Sequence, residues 1–142
     1  MTLVVRIGLA VLAAVELTIG AWNQFWPAHF YANFPTVSLT PPYSEHFARD
    51  FGGATLGIAA VLVIALVRPT PQLVGIAALA YSVFSVPHFV FHTLHLEHAT
   101  AGEVVFLEVA NGIVALIGFL LLGWSGIRLQ RDRRRLRDPA VG

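Results

Sequence analysis

Four apolar stretches, each roughly 20 residues long, limit what this chain can become. They run over 3–22, 45–67, 72–95 and 104–124. At about 1.5 Å per residue, a helix of that length crosses a hydrocarbon core of about 30 Å. Within lipid the backbone must satisfy its own hydrogen bonds, so each stretch is predicted to be a transmembrane helix. The second reaches the required length only if it begins at Glu45, ahead of the apolar run from Phe51. A soluble fold fails on composition. Hydrophobic residues are 56% of the 142 and charged ones only 12%, about half the charged share of a soluble domain, and so small a domain cannot bury that much apolar surface. The expectation is an all-α protein: a four-helix transmembrane bundle over 1–127 and a basic tail over 128–142. The first stretch follows Arg6 like a secretory leader, but Glu16 interrupts it and no small-x-small cleavage site follows, so it is read as a retained helix.

Charge orients the bundle. All nine basic residues are arginine. Six lie from Arg128 onward, Arg68 sits in the turn before the third stretch, and Arg6 opens the first. With four spans these regions share one side, which the positive-inside rule makes cytoplasmic. That side carries eight arginines and two acids, a net of +6; the other carries Arg49 and six acids, a net of −5, together with all six histidines. The expected location is the plasma membrane, multi-pass, with both termini inside. The tail is assigned to anionic lipid, at about 1 kcal/mol per arginine near the surface, and not to nucleic acid. The chain has no cysteine and no lysine, which excludes thiolate metal sites, disulfides and Schiff-base chemistry.

The connection over 23–44 is long and aromatic, and is predicted to lie at headgroup level as a lid. Thr40 followed by Pro41 reads as an N-cap and first-turn proline, starting the second helix near 41.

Helical periodicity sorts the polar residues into stripes: Ala13, Glu16, Gly20 and Asn23 on the first helix; His46, Asp50, Gly53 and Gly57 on the second; Tyr81, Ser85, His88, His92 and His95 on the third; Glu108, Asn111, Ala115 and Gly118 on the fourth. Phe84, Val90 and Phe91 fall on other faces of the third. Glu16, Asp50, His88, His92, Glu108 and Asn111 all lie within about 10 Å of the outer boundary. Ionisable groups in a span mark a polar interior or a cavity. Imidazole and carboxylate without thiolate suits zinc, iron or manganese. His88 and His92, four apart, with Asp50 form the candidate metal set; His46 and Asn111 are candidate cofactor contacts, and Glu16 and Glu108 candidate catalytic residues. Haem between His46 and His88 or His92 is a further option, as is a quinone or other lipophilic substrate reached from the outer leaflet. The leading expectation is an outward-facing site that binds a metal or metal cofactor for redox or hydrolytic chemistry on a lipophilic substrate. The competing reading is a non-enzymatic membrane subunit or small-molecule-binding protein whose polar cluster is a structural network in which each acid is paired. Glu45 and Arg49 form an i, i+4 pair. His29 is read as a surface residue, and His95 and His98 as half solvated. Gly53 and Gly57 could serve internal packing or a homo-oligomer face.

The segments PPYSEHFARDFGG and SVPHFVFHTLHLEH resemble those of small four-helix membrane proteins common in actinobacteria, a group of unassigned function. The shared pattern falls on Tyr43, Glu45, His46, Arg49 and Asp50, and on Pro87, His88, His92 and His95. In size, helix number and the polar start of the second helix, the chain is also similar to DoxX-like membrane proteins, a likeness that implies quinone redox chemistry.

Overall fold

The computed structural model describes residues 3–39 and 42–137. In chain order these form α1 (Leu3–Phe25), the short α2 (Pro27–Asn33), a 3-10 turn (Val37–Leu39), α3 (Glu45–Val67), α4 (Pro71–Leu94) and α5 (Ala101–Arg137), with no strand among them. All four long helices are long and apolar enough to cross a membrane. The expectation of an all-α chain with four helices of membrane-spanning length and apolarity therefore stands.

Local chemistry sets the ends. Thr70 caps α4, its hydroxyl accepting from Leu73 N at 3.2 Å, with Pro71 in the first turn, where a missing N–H costs nothing. Thr100 and Glu103 form a reciprocal capping box on α5: the Glu103 carboxylate accepts from Thr100 N at 2.8 Å, and Thr100 Oγ1 from Glu103 N at 3.4 Å. The helix therefore starts at Ala101 rather than 104. It also continues to Arg137, so the described part of the basic tail is more helix. The expected start of the second span near 41 is not met. Ser44 is still extended, with φ −133°, and α3 begins at Glu45; Thr40 and Pro41 lie outside the described residues.

The long helices run alternately up and down. Two close pairs form, α1 with α3 and α4 with α5, and glycine sets both crossings. A Cβ on Gly52 would lie 2.6 Å from Gln24 N and 2.9 Å from Gly20 O; one on Gly118 would lie 2.9 Å from the Tyr81 ring. Near the far end of the second pair, Ser125 Oγ donates to the Pro71 carbonyl at 2.7 Å.

The interior is divided lengthwise. Toward the end that carries Arg6, Arg68 and Arg128, Leu9, Leu12, Leu62 and Val74 pack with no exposure. Toward the opposite end, which carries the histidines, the two pairs touch less and the space between them is open. Over it folds the connection from α1 to α3. Trp22 of α1, Phe30 and Phe34 form a ring cluster, with Phe30 and Phe34 stacked at 4.7 Å, and Phe34 reaches Phe106 of α5 at 6.4 Å. Arg49 pins the same region: it pairs with Glu45 at 2.8 Å and donates to the Gln24 carbonyl, joining α3 to the end of α1.

Candidate functional site

Between the helix pairs lies a cavity of about 1110 Å³. Each long helix gives it polar groups: Glu16 and Asn23 from α1, Thr55 from α3, Tyr81, Ser85, His88 and His92 from α4, and Asn111 from α5. The connection closes it with Phe30, Tyr31, Phe34 and Thr36. Thr36 holds a left-handed backbone, φ 72°, a conformation a β-branched residue adopts only under constraint from its surroundings.

Depth follows from helix position. Glu16 lies nine residues before the end of α1, and Asn111 ten residues into α5, each about 14 Å below the histidine end. His88 and His92 stand nearer the mouth, their rings 4.6 Å apart and edge to face. His88 also stacks on Phe84 at 5.2 Å.

The buried polar atoms are incompletely satisfied. Glu16 is only 2% exposed, yet its Oε2 has no hydrogen-bond partner, and neither do Ser82 Oγ, Ser85 Oγ or Glu108 Oε1. Native interiors leave few such atoms, because each costs about 1–3 kcal/mol. A structural network would have paired them. Some instead border an open volume, as Glu16 and Ser85 do.

Four of the seven expected site residues meet here: Glu16, His88, His92 and Asn111. Glu108 is half-buried and does not line the cavity, although it lies within electrostatic range of His92. His46 and Asp50 are elsewhere. They pair with each other at 3.3 Å, with side chains 79% and 63% exposed. The interior stripe expected on the second helix is thus displaced by one residue. Gly52, Thr55, Ala59 and Leu62 face inward, while Gly53 and Gly57 lie on the open face. The reason is steric: α1 seats against Gly52, whereas a Cβ on Gly53 would meet only the Gln24 side chain, at 3.6 Å, and one on Gly57 nothing.

Without Asp50 the expected metal set is incomplete. Among the described residues no three of the His, Asp and Glu side chains converge closely enough to hold an ion. Haem ligation through His46 is not favoured either, since that side chain is exposed and paired with Asp50, outside the cavity that His88 and His92 line. His95 stacks on Phe91 at 4.2 Å and is exposed. His29 is exposed as expected, its Nδ1 accepting from Trp22 Nε1 at 3.0 Å.

Phe84 and Phe91, expected on other faces of α4, line the cavity as well. Large rings beside the polar stripe reach around the helix flank, which a strict stripe rule excludes. Thr55 was hidden too, because its hydroxyl bonds back to the Phe51 carbonyl at 3.0 Å and it reads as one more small residue. A comparison with protein-family models, curated proteins and solved structures finds no match to this chain.

Proposed function

We propose that this chain is a multi-pass plasma-membrane protein, both ends cytoplasmic, that binds a lipophilic small molecule in the cavity between its helix pairs. The observation that carries this reading is the cavity itself, large, mainly apolar and bordered by buried polar atoms that lack partners. Pockets of about 300–1,000 Å³ hold drug-sized ligands, typically with apolar walls and a few polar groups that fix orientation. Glu16, His88 and His92 are the groups that could exchange a proton with the bound molecule. Two imidazoles fall short of the three or four protein ligands of a zinc site, so the lipophile and not an ion is the proposed occupant.

Access from the bilayer fits the packing. Ala14 and Thr18 on α1 and Ala110 on α5 line the cavity and are themselves exposed. Among neighbouring long helices, α1 and α5 touch least. A molecule dissolved in lipid would meet small side chains at that seam.

The test uses N-phenyl-1-naphthylamine, a neutral dye that fluoresces in apolar pockets, titrated into the purified protein in nanodiscs. Saturable binding is expected, and Ala110→Trp should weaken it about ten-fold, or by 1.4 kcal/mol. Binding that never saturates, or that ignores Trp at both Ala14 and Ala110, refutes the proposal.

A further inference from the structure

The walls of the cavity are aromatic to an unusual degree. Seven of the ten phenylalanines and all three tyrosines line it, against a single leucine, Leu107. Apolarity alone does not account for that choice, since leucine fills the rest of the interior at Leu9, Leu12, Leu62 and Leu121. An aromatic ring differs from leucine in its quadrupole: its face is negative and attracts a cation, by about 0.5–2 kcal/mol per contact.

The charge-bearing groups on the wall point the same way. The lining includes one carboxylate, Glu16, and no arginine. The described arginines that pair at all do so outside it, as Arg49 does with Glu45. Glu16 is 2% exposed, its Oε2 has no partner, and it stands at the deep end. His88 and His92 lie a turn or more nearer the mouth, and Glu108 of α5 is within electrostatic range of His92. The deep end therefore presents an acceptor without a cation, and Phe84 and Tyr81 of the same lining, ten and thirteen residues before the end of α4, stand at or just below its depth.

We infer that the ligand is a lipophilic cation, a protonated or quaternary amine or its equivalent on an apolar body, held by Glu16 as counter-ion within a cage of phenylalanine and tyrosine rings. This rests on the proposal that the cavity binds a lipophile, and adds the sign of the charge. The cation satisfies the carboxylate that the protein leaves unpaired, and the rings replace the water lost from its charged head. A lipophilic anion of the same size would find no counter-ion on the same wall.

Tetraphenylphosphonium and tetraphenylborate have nearly the same shape and opposite charge, so they isolate that sign. Each is titrated against bound N-phenyl-1-naphthylamine in nanodiscs of zwitterionic lipid. Because the two ions partition differently into lipid, the quantity read is the change between wild type and variant. In wild type the phosphonium should displace the dye and the borate should not. Glu16→Gln should weaken the phosphonium at least ten-fold while the dye itself still binds, and Glu16→Asp should restore most of the loss. Phe84→Leu, which removes a ring without touching the carboxyl, should weaken the phosphonium and spare the dye. This variant keeps the test available if Glu16→Gln does not fold. Equal displacement by both ions, or a phosphonium affinity unchanged in Glu16→Gln and Phe84→Leu, overturns the inference and leaves the cavity proposal standing. If the dye itself shows no saturable binding, both fall.

Discussion

Adjacent glycines on α3 provide a stringent test of which face of that helix is inside. In Gly52→Ala the new methyl would sit 2.6 Å from Gln24 N, 2.9 Å from Gly20 O and 3.0 Å from Gln24 Cα, where ordinary contact begins at 3.4 Å. All three are backbone atoms, so no side chain can turn aside. The two helices must part by roughly 0.8 Å along that crossing, a gap that forfeits a quarter to a half of each contact's attraction. Overpacking of this kind costs about 1–3 kcal/mol, and a backbone obstacle places it near the upper limit. Replacing glycine within a helix returns about 1 kcal/mol. The net loss for Gly52→Ala is therefore about 2 kcal/mol, whereas Gly53→Ala, meeting only Gln24 Oε1 at 3.6 Å, should be neutral or stabilising by up to about 1 kcal/mol. Reversible unfolding of each purified variant by dodecyl sulfate in mixed micelles, followed by circular dichroism, measures the difference. Equal losses, or a greater one for Gly53→Ala, would refute the argument and turn His46 and Asp50 back toward the interior.

Three further outcomes follow from the same geometry. Thr100→Ala removes half of the capping box on α5 and should lower stability in that unfolding assay by about 1 kcal/mol; no change would mean that the helix start is held by packing alone. Thr36→Gly relieves a left-handed backbone at φ 72° and should raise stability by about 0.5–1 kcal/mol, while Thr36→Ala should not; identical effects would show that the strain is absent. His46→Ala and Asp50→Asn alter an exposed pair outside the cavity, so dye affinity should stay within about two-fold of wild type. A ten-fold loss from either would place that pair in the site.

The extent to which this arrangement can be read from sequence differs from helix to helix. On α1 a few polar residues stand out in an apolar run, and periodicity alone places Glu16, Gly20 and Asn23 on the buried face. The stripe Tyr81, Ser85, His88 and His92 is equally visible on α4. On α3 the signal is ambiguous because Gly52 and Gly53 are neighbours, about 100° apart around the axis. Each begins a plausible small-residue stripe, and only the fit of α1 selects one. The more polar stripe is the wrong one, since His46 and Asp50 lie in the first turns, where charge can remain in the headgroup region. The capping box at Thr100 and Glu103 is a local signal that lies ahead of the apolar run beginning at Val104, so hydropathy does not mark it. The aromatic lining was not legible, because it draws rings from α3, α4, α5 and the connection, and no single-segment period encodes that convergence.

The length of α5 has an effect on the arginines it carries. At 37 residues it is some 14 longer than α3, an excess of about 20 Å. Trp124, with the Arg128 guanidinium 5.7 Å from its ring, marks the level at which such a helix leaves the hydrocarbon. From there to Arg137 the helix climbs about 20 Å more, with its side chains largely exposed on all sides. The screening length in physiological salt is about 8 Å. Arg128 and Arg137, at the two ends of the arginine run, lie about 14 Å apart along the axis, farther than that length. The extended helix thus spreads its six arginines over a rise longer than the screening length, so the two ends of the run present their positive charge independently of each other.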